Sequence, residues 1–297
     1  MSQKLVLSVA MLMALSTCYG AGFFLVKISL DGFSNMAAGA GRIIVAALVL
    51  MFIMALSPHR FRLPKASRLP VTLNGLVFIG FPFLSLPWIL NHIPTSMVAI
   101  YYSAVPIFVL ALSRFVLGRP ISTSKWVGFL IATAGIAYLA ASQMGLSPLS
   151  LEQGGPSWFL LAPHGVCILG SLALASGVVH MSTIKDFRPV QYQGYSLIAA
   201  CILAVPFLIY NAPTEFPGWI AIFGMVMAGL VTTGMGQVLR GFLVQREGPT
   251  FTARNGYITP IIASILGLTF LSETITIAHV VTYAAVAAGL FISAQKR

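Results

Sequence analysis

Apolar runs of membrane-crossing length recur along the whole chain, separated by short breaks of Pro, Gly and charged residues. A helix spanning the hydrocarbon needs about 20 predominantly apolar residues. The pattern predicts five spans in the first half, at 6–30, 34–56, 69–90, 95–117 and 123–142. It predicts five more at 157–182, 190–210, 217–245, 249–271 and 276–294. The chain therefore divides into a first five-helix unit, 1–143, an external linker, 144–156, and a second five-helix unit, 157–297.

An even number of spans puts both termini on one side, and the loop cations choose the side. Lys4, Arg60, Arg62, Lys65, Arg68, Arg114, Arg119, Lys125, Lys185, Arg188, Arg246, Lys296 and Arg297 all fall on one face of this layout. The other face holds only Asp31, Glu152, Glu215 and Glu273. The expectation is a bacterial inner-membrane protein with both ends cytoplasmic. The composition agrees, at 58% hydrophobic and 8% charged, which leaves no room for a further soluble domain. The formal charge of +11 then reflects topology and calls for no nucleic-acid partner. Cys18, Cys167 and Cys201 sit in apolar segments without metal or disulfide spacing and are assigned to packing.

Sliding the sequence on itself by 154 residues aligns three features without a gap. Gly75-Leu76-Val77 falls on Gly229-Leu230-Val231, with Gly80 on Gly234. Pro106-Ile107 falls on Pro260-Ile261, and Ala134-Gly135-Ile136 on Ala288-Gly289-Leu290. Because each unit has an odd number of spans, the second must enter the membrane from the opposite side. Such inverted repeats place a substrate site near the midplane, where the two units meet.

These residues resemble the drug/metabolite transporter superfamily, EamA type. The resemblance rests on Gly41-Arg42-Ile43, on Thr95 to Ala99 leading to Val105-Pro106-Ile107-Phe108, and on Leu117-Gly118. In the second half it rests on Thr259-Pro260-Ile261-Ile262 and Leu271-Ser272-Glu273. It covers essentially the whole chain. One departure is Arg119, where the family usually has Glu after the fourth span. The resemblance implies an all-α integral membrane protein, ten transmembrane helices as two inverted five-helix repeats around a central cavity. Helices one to four and six to nine would line that cavity, and five and ten would be peripheral. It also implies export of amino acids or other small metabolites as the commonest activity, with no cofactor.

Ionisable groups at membrane depth cost roughly 3 kcal/mol each on insertion scales, so each needs a physical reason. Lys27, Arg42, Arg240 and Arg254 fall inside spans, whereas all six acidic residues lie in loops or at span ends. Lys27, near the outer end of its helix, can snorkel to the headgroups. Arg42 is either a structural anchor or a substrate contact. Arg240 shares a helical face with Gln237, and Arg254 shares one with Tyr257, beside a strip of Asn255 and Thr259. Buried positive charge without buried acid is complementary to a carboxylate. The substrate expected is therefore an amino acid or amino-acid-derived compound, opine-type metallophores included, with import or exchange of another small metabolite as the alternative direction.

Aromatic residues Tyr19, Trp88, Tyr101, Tyr102 and Phe242 are further candidates for the cavity wall, although Tyr and Trp also form headgroup belts. His164 lies on one face with Cys167 and Ser171 and is the candidate proton-responsive group. Pro106 and Pro260 are the hinge candidates, since each removes a ladder bond at an equivalent place. The small residues of the last span, Ala284, Ala285, Ala287, Ala288 and Gly289, fit close helix contact within the chain or in a homodimer. No HExxH, paired carboxylates or metal-ligand cluster points to an enzyme or a metal site. A non-transporting receptor or structural subunit is the remaining class, and the duplication argues against it.

Overall fold

A computed structural model of the protein describes residues 3–56, 64–118, 122–143, 158–184, 188–272 and 276–294, and all regular structure among them is helical. Arg60, Arg62, Arg119, Glu152, Lys185, Asp186, Glu273, Lys296, Arg297 and the expected linker 144–156 lie outside the described residues.

The helices are α1 (Gln3–Ser29), α2 (Asn35–Leu56), and α3, composed of Lys65–Leu73, a π-helical segment Asn74–Gly80 and Phe81–Leu90. They continue with α4, composed of Thr95–Tyr102 and Val105–Leu117, then α5 (Thr123–Gln143), α6 (Trp158–Thr183) and α7 (Pro189–Tyr210). Next come α8, composed of Trp219–Met227, a second π segment Ala228–Met235 and Gly236–Glu247, and α9, composed of Pro249–Thr252 and Asn255–Phe270. The last is α10 (Ile277–Ala294). Seven of these stretches, α1 to α4 and α6 to α8, are long and apolar enough to cross a membrane. Shorter apolar helices occupy Trp126–Gly135 and Ile277–Gly289.

Helix ends follow local chemistry. The Ser34 hydroxyl accepts the Ala37 amide at 3.3 Å and caps α2, where free N–H groups need an acceptor. Pro189 opens α7, a position that wastes no donor. Gly118 closes α4 with φ 65°, and Ser272, 154 residues on, closes α9 with φ 53°. The left-handed conformation costs Gly nothing and a residue with a Cβ about 1–2 kcal/mol.

The two π segments also fall 154 residues apart, and each packs on the second helix of the other half. A Cβ on Gly75 would lie 2.0 Å from the Ser196 carbonyl of α7 and 2.9 Å from the Ala199 Cβ. A Cβ on Gly229 would lie 2.9 Å from the Arg42 carbonyl of α2 and 2.7 Å from the Val45 Cβ. Ser196 and Ala199 are the 154-residue equivalents of Arg42 and Val45, so the two contacts are one contact made twice. The wider π turn appears where each pair of helices comes closest. The α5–α10 pair is built the same way, through Gly135 on Ala285 and Gly289 on the Gly128 carbonyl, and the Thr282 hydroxyl donates to the Gly135 carbonyl at 3.0 Å. The small residues of α10 thus have a use within the chain.

The helix breaks near the two prolines fall at different places in the two halves. α4 does break at Ser103–Ala104, just before Pro106. Pro260, however, lies inside the uninterrupted helix Asn255–Phe270, and the break in that segment comes earlier, at Ala253–Arg254. The reason is local: Gly248, with φ 83°, and Pro249 start α9 with a single short turn, so its break falls about one helical turn closer to the segment's start than in α4. The breaks near Pro106 and Pro260 are therefore not at equivalent positions.

Candidate functional site

A cavity of about 80 Å³ lies between α1, α2, α3, α4, α6, α8 and α9. Among the described residues no side chain of α5, α7 or α10 lines it. Glycines let the surrounding helices close around it. A Cβ on Gly22 of α1 would meet Thr232 of the α8 π segment at 2.6 Å, and one on Gly236 would meet the Tyr19 ring at 2.8 Å.

The cationic part of the wall comes from α2 and α8. Arg42, 2% exposed, donates from Nε to the Thr233 hydroxyl and from Nη2 to the Thr232 hydroxyl, both at 3.0 Å. Its guanidinium also lies 4.5 Å from the centre of the Phe83 ring, a geometry in which the ring quadrupole attracts the cation. The π segment places adjacent threonines so that both hydroxyls reach one guanidinium, a local widening of the kind often found at functional sites. Nη1 of Arg42 has no hydrogen-bond partner. Arg240 is 3% exposed and lines the cavity, with Nε and Nη2 both unpartnered. Tyr19 and Tyr102 also line it, and neither hydroxyl has a partner.

Buried donors without partners are rare, and their desolvation is costly. Here five polar atoms, on Arg42, Arg240, Tyr19 and Tyr102, meet in that condition around one cavity. Among the described residues no Asp or Glu lines it. Glu247, on the same helix as Arg240, is taken up by the Ser8 hydroxyl at 2.5 Å and by Arg246 at 3.4 Å. The wall can therefore supply charge-assisted donors to an anion and has no acceptor of like strength.

Of the residues singled out in the sequence, Tyr19, Arg42, Tyr102, Arg240 and Asn255 line the cavity. Gln237 is fully buried beside them, with both amide atoms unpartnered, and is not part of the wall. Tyr101 and His164 pair with each other instead, the tyrosine oxygen 2.7 Å from Nδ1. Adjacent tyrosines on a helix point about 100° apart, so only one of them can face the cavity. Trp88 lies against His92, ring centres 4.5 Å apart, and Phe242 is 43% exposed on the outer surface. Arg254 is exposed at the α9 break with its guanidinium 5.2 Å from the Phe251 ring, and Tyr257 packs into the apolar core. Lys27 donates to the Leu90 carbonyl at 2.6 Å, at the end of α3. The sequence reading missed Phe83, Leu86, Val105, Leu174 and Val178, the apolar part of the wall. Nothing in their sequence neighbourhood separates them from lipid-facing residues. Thr232 carried a usable signal, since it lies between the paired glycines Gly229 and Gly234.

Fold and site together define a helical membrane protein with an internal cavity between its helices, headed by cations. The chain belongs to the EamA-like transporter family, whose profile matches twice, at residues 6–141 and 161–295. Among its relatives is the uncharacterized inner membrane transporter YedA of Escherichia coli K12, 23% identical over 277 residues, covering 89% of this chain and 83% of YedA. Another is a probable terminal-alkyne amino-acid exporter of Streptantibioticus cattleyicolor, 23% identical over 265 residues and covering 86% and 82% of the two chains. A protein of known crystal structure shares the fold, with a TM-score of 0.70 over 99% of this chain and 97% of its own, at 13% identity.

Proposed function

We propose that this chain is a secondary transporter of ten spans, two inverted five-helix repeats at 1–143 and 157–297, which exports a small carboxylate-bearing metabolite across the inner membrane. Both termini are cytoplasmic in this reading. The reciprocal packing of the π segments supports the inversion, because each half offers the other the same surface. The cavity wall runs from Arg240 and Asn255, toward the cytoplasmic ends of α8 and α9 in this topology, to Arg42 and Leu86, toward the opposite ends of α2 and α3. The relative named a probable terminal-alkyne amino-acid exporter fits a carboxylate cargo.

The observation that carries the reading is Arg240, buried in the wall, unpartnered at two nitrogens, and without a described carboxylate beside it. The test begins with a metabolite screen comparing cells with and without the protein, followed by Arg240→Gln in the transport of the compound found. A hydrogen bond to a charged group contributes about 1.5–3 kcal/mol, so the variant should bind substrate roughly 10–150-fold more weakly while inserting normally. Normal transport by Arg240→Gln, or a substrate lacking any carboxylate, would sink the reading. Reporters fused after residue 65 and at the C-terminus check the topology.

A further inference from the structure

A second concavity, a groove of about 380 Å³, lies on the outside of the bundle between α3 and α7 and shares no lining residue with the transport cavity. Arg68, Thr72 and Tyr195 give it a polar head, and Val71, Ile198 and Ile202 an apolar flank. Arg68 is exposed and lies within electrostatic reach of Tyr195. The close contact of Gly75 with the Ser196 carbonyl joins the two helices beneath the groove. Lys65, three residues before Arg68, shares its helix face, and Arg188 is the extended residue just before α7, seven residues before Tyr195.

The repeat makes this groove informative. Shifted by 154 residues, Arg68, Thr72 and Tyr195 fall on Ile222, Val226 and Gly41, and Ile198 and Ile202 fall on Ile44 and Leu48. The scaffold is duplicated, but the polar head exists in one half only. In the ten-span topology on which this step rests, that head lies at the cytoplasmic headgroup level. Anionic lipids of that leaflet attract basic side chains, and basic pockets between helices bind their headgroups.

We propose that the α3–α7 groove binds one anionic glycerophospholipid of the cytoplasmic leaflet, its phosphate held by Arg68 with Thr72 and Tyr195, and an acyl chain lying along Ile198 and Ile202. Arg68 and the lipid phosphate make a charge-assisted pair. The apolar flank selects a lipid over a free phosphate.

Native mass spectrometry of the purified protein in neutral detergent, titrated with dioleoyl phosphatidylglycerol or dioleoyl phosphatidylcholine, tests this. The wild type should retain one phosphatidylglycerol in preference to phosphatidylcholine. Arg68→Gln should lower that preference by about five-fold, and Arg68→Lys should keep most of it. Arg114→Gln, which removes an exposed cation of α4 outside the groove, should leave it unchanged. Equal retention of the two lipids by the wild type would overturn the proposal, as would an unaltered preference in Arg68→Gln or an equal loss in Arg114→Gln. Glycerol phosphate binding as tightly as phosphatidylglycerol would also overturn it, since the site would then take a phosphate and no lipid. Failure here leaves the Arg240 experiment untouched, because the two sites share no residue.

Discussion

Replacing Gly75 with Ala tests whether the π contact is a structural necessity. The added Cβ would sit 2.0 Å from the Ser196 carbonyl oxygen and 2.9 Å from the Ala199 Cβ. A backbone carbonyl inside a helix cannot swing aside, so α3 and α7 must separate or the π turn must reorganise. Overpacking of this kind costs about 1–3 kcal/mol, and a backbone obstacle places Gly75 at the upper end. At Gly229 the carbonyl obstacle is 2.9 Å away and the Val45 Cβ 2.7 Å, so Gly229→Ala should cost less. Gly165 of α6 is exposed, with nothing within 4 Å of its Cβ position. Gly165→Ala should be neutral or gain up to about 1 kcal/mol of helix propensity. Thermal unfolding in detergent, followed by tryptophan fluorescence, should therefore rank Gly75→Ala as least stable, by several degrees, then Gly229→Ala, then Gly165→Ala level with the wild type. A Gly75→Ala protein as stable as Gly165→Ala would refute the packing reasoning.

The adjacent tyrosines should separate two roles. Tyr102→Phe removes a hydroxyl from the cavity wall and should raise KM, whereas Tyr101→Phe removes the bond to His164, costing about 1 kcal/mol of stability with KM unchanged; the reverse outcome would mean the cavity has been misassigned. Ser272→Gly relieves a left-handed residue where the first half already has Gly118, and should raise thermal stability by up to about 1 kcal/mol; a drop in the melting temperature would show that the Ser272 side chain contributes more than its backbone costs.

Seven membrane-length helices and the duplication were legible in the sequence because both are written in side-chain hydropathy and in glycine spacing. The 154-residue register that aligned Gly75 with Gly229 and Gly80 with Gly234 also marks the two π segments. The π geometry itself left no separate mark, since it answers to the helix packed opposite. The cationic wall was partly legible: Arg42 and Arg240 stand out because charge at membrane depth is costly. Arg254 looked equivalent, but it is exposed at the break Ala253–Arg254, and that break follows the single turn that Gly248 and Pro249 start. Tyr101 and Tyr102 could not be told apart without knowing which way α4 faces. The apolar wall was illegible, since a leucine toward a cavity and a leucine toward lipid obey the same rule.

The repeat also bears on what kind of carboxylate the cavity suits. Three pairs of wall residues are equivalents under the 154-residue shift: Leu86 with Arg240, Tyr102 with Gly256, and Val105 with Thr259. A cavity lined by both members of each pair lies where the two halves meet, yet each pair has lost its chemical likeness. Arg240 stands opposite a leucine in the symmetry, and Thr259 opposite a valine, so one cavity carries a cationic part and an apolar part. Leu86, Val105, Leu174 and Val178 form the apolar part, and Phe83 joins the two by lying against Arg42. The cargo that the proposed reading calls for is amphipathic, with a carboxylate at one end and a hydrocarbon body at the other. Each buried methylene contributes about 0.8 kcal/mol, about a four-fold gain in apparent affinity. In transport competition by alanine, 2-aminobutyrate, norvaline and norleucine, inhibition should strengthen along the series until the cavity is full. A flat series, or one led by alanine, would show that the apolar wall does not touch the cargo and that the cationic end alone sets its recognition.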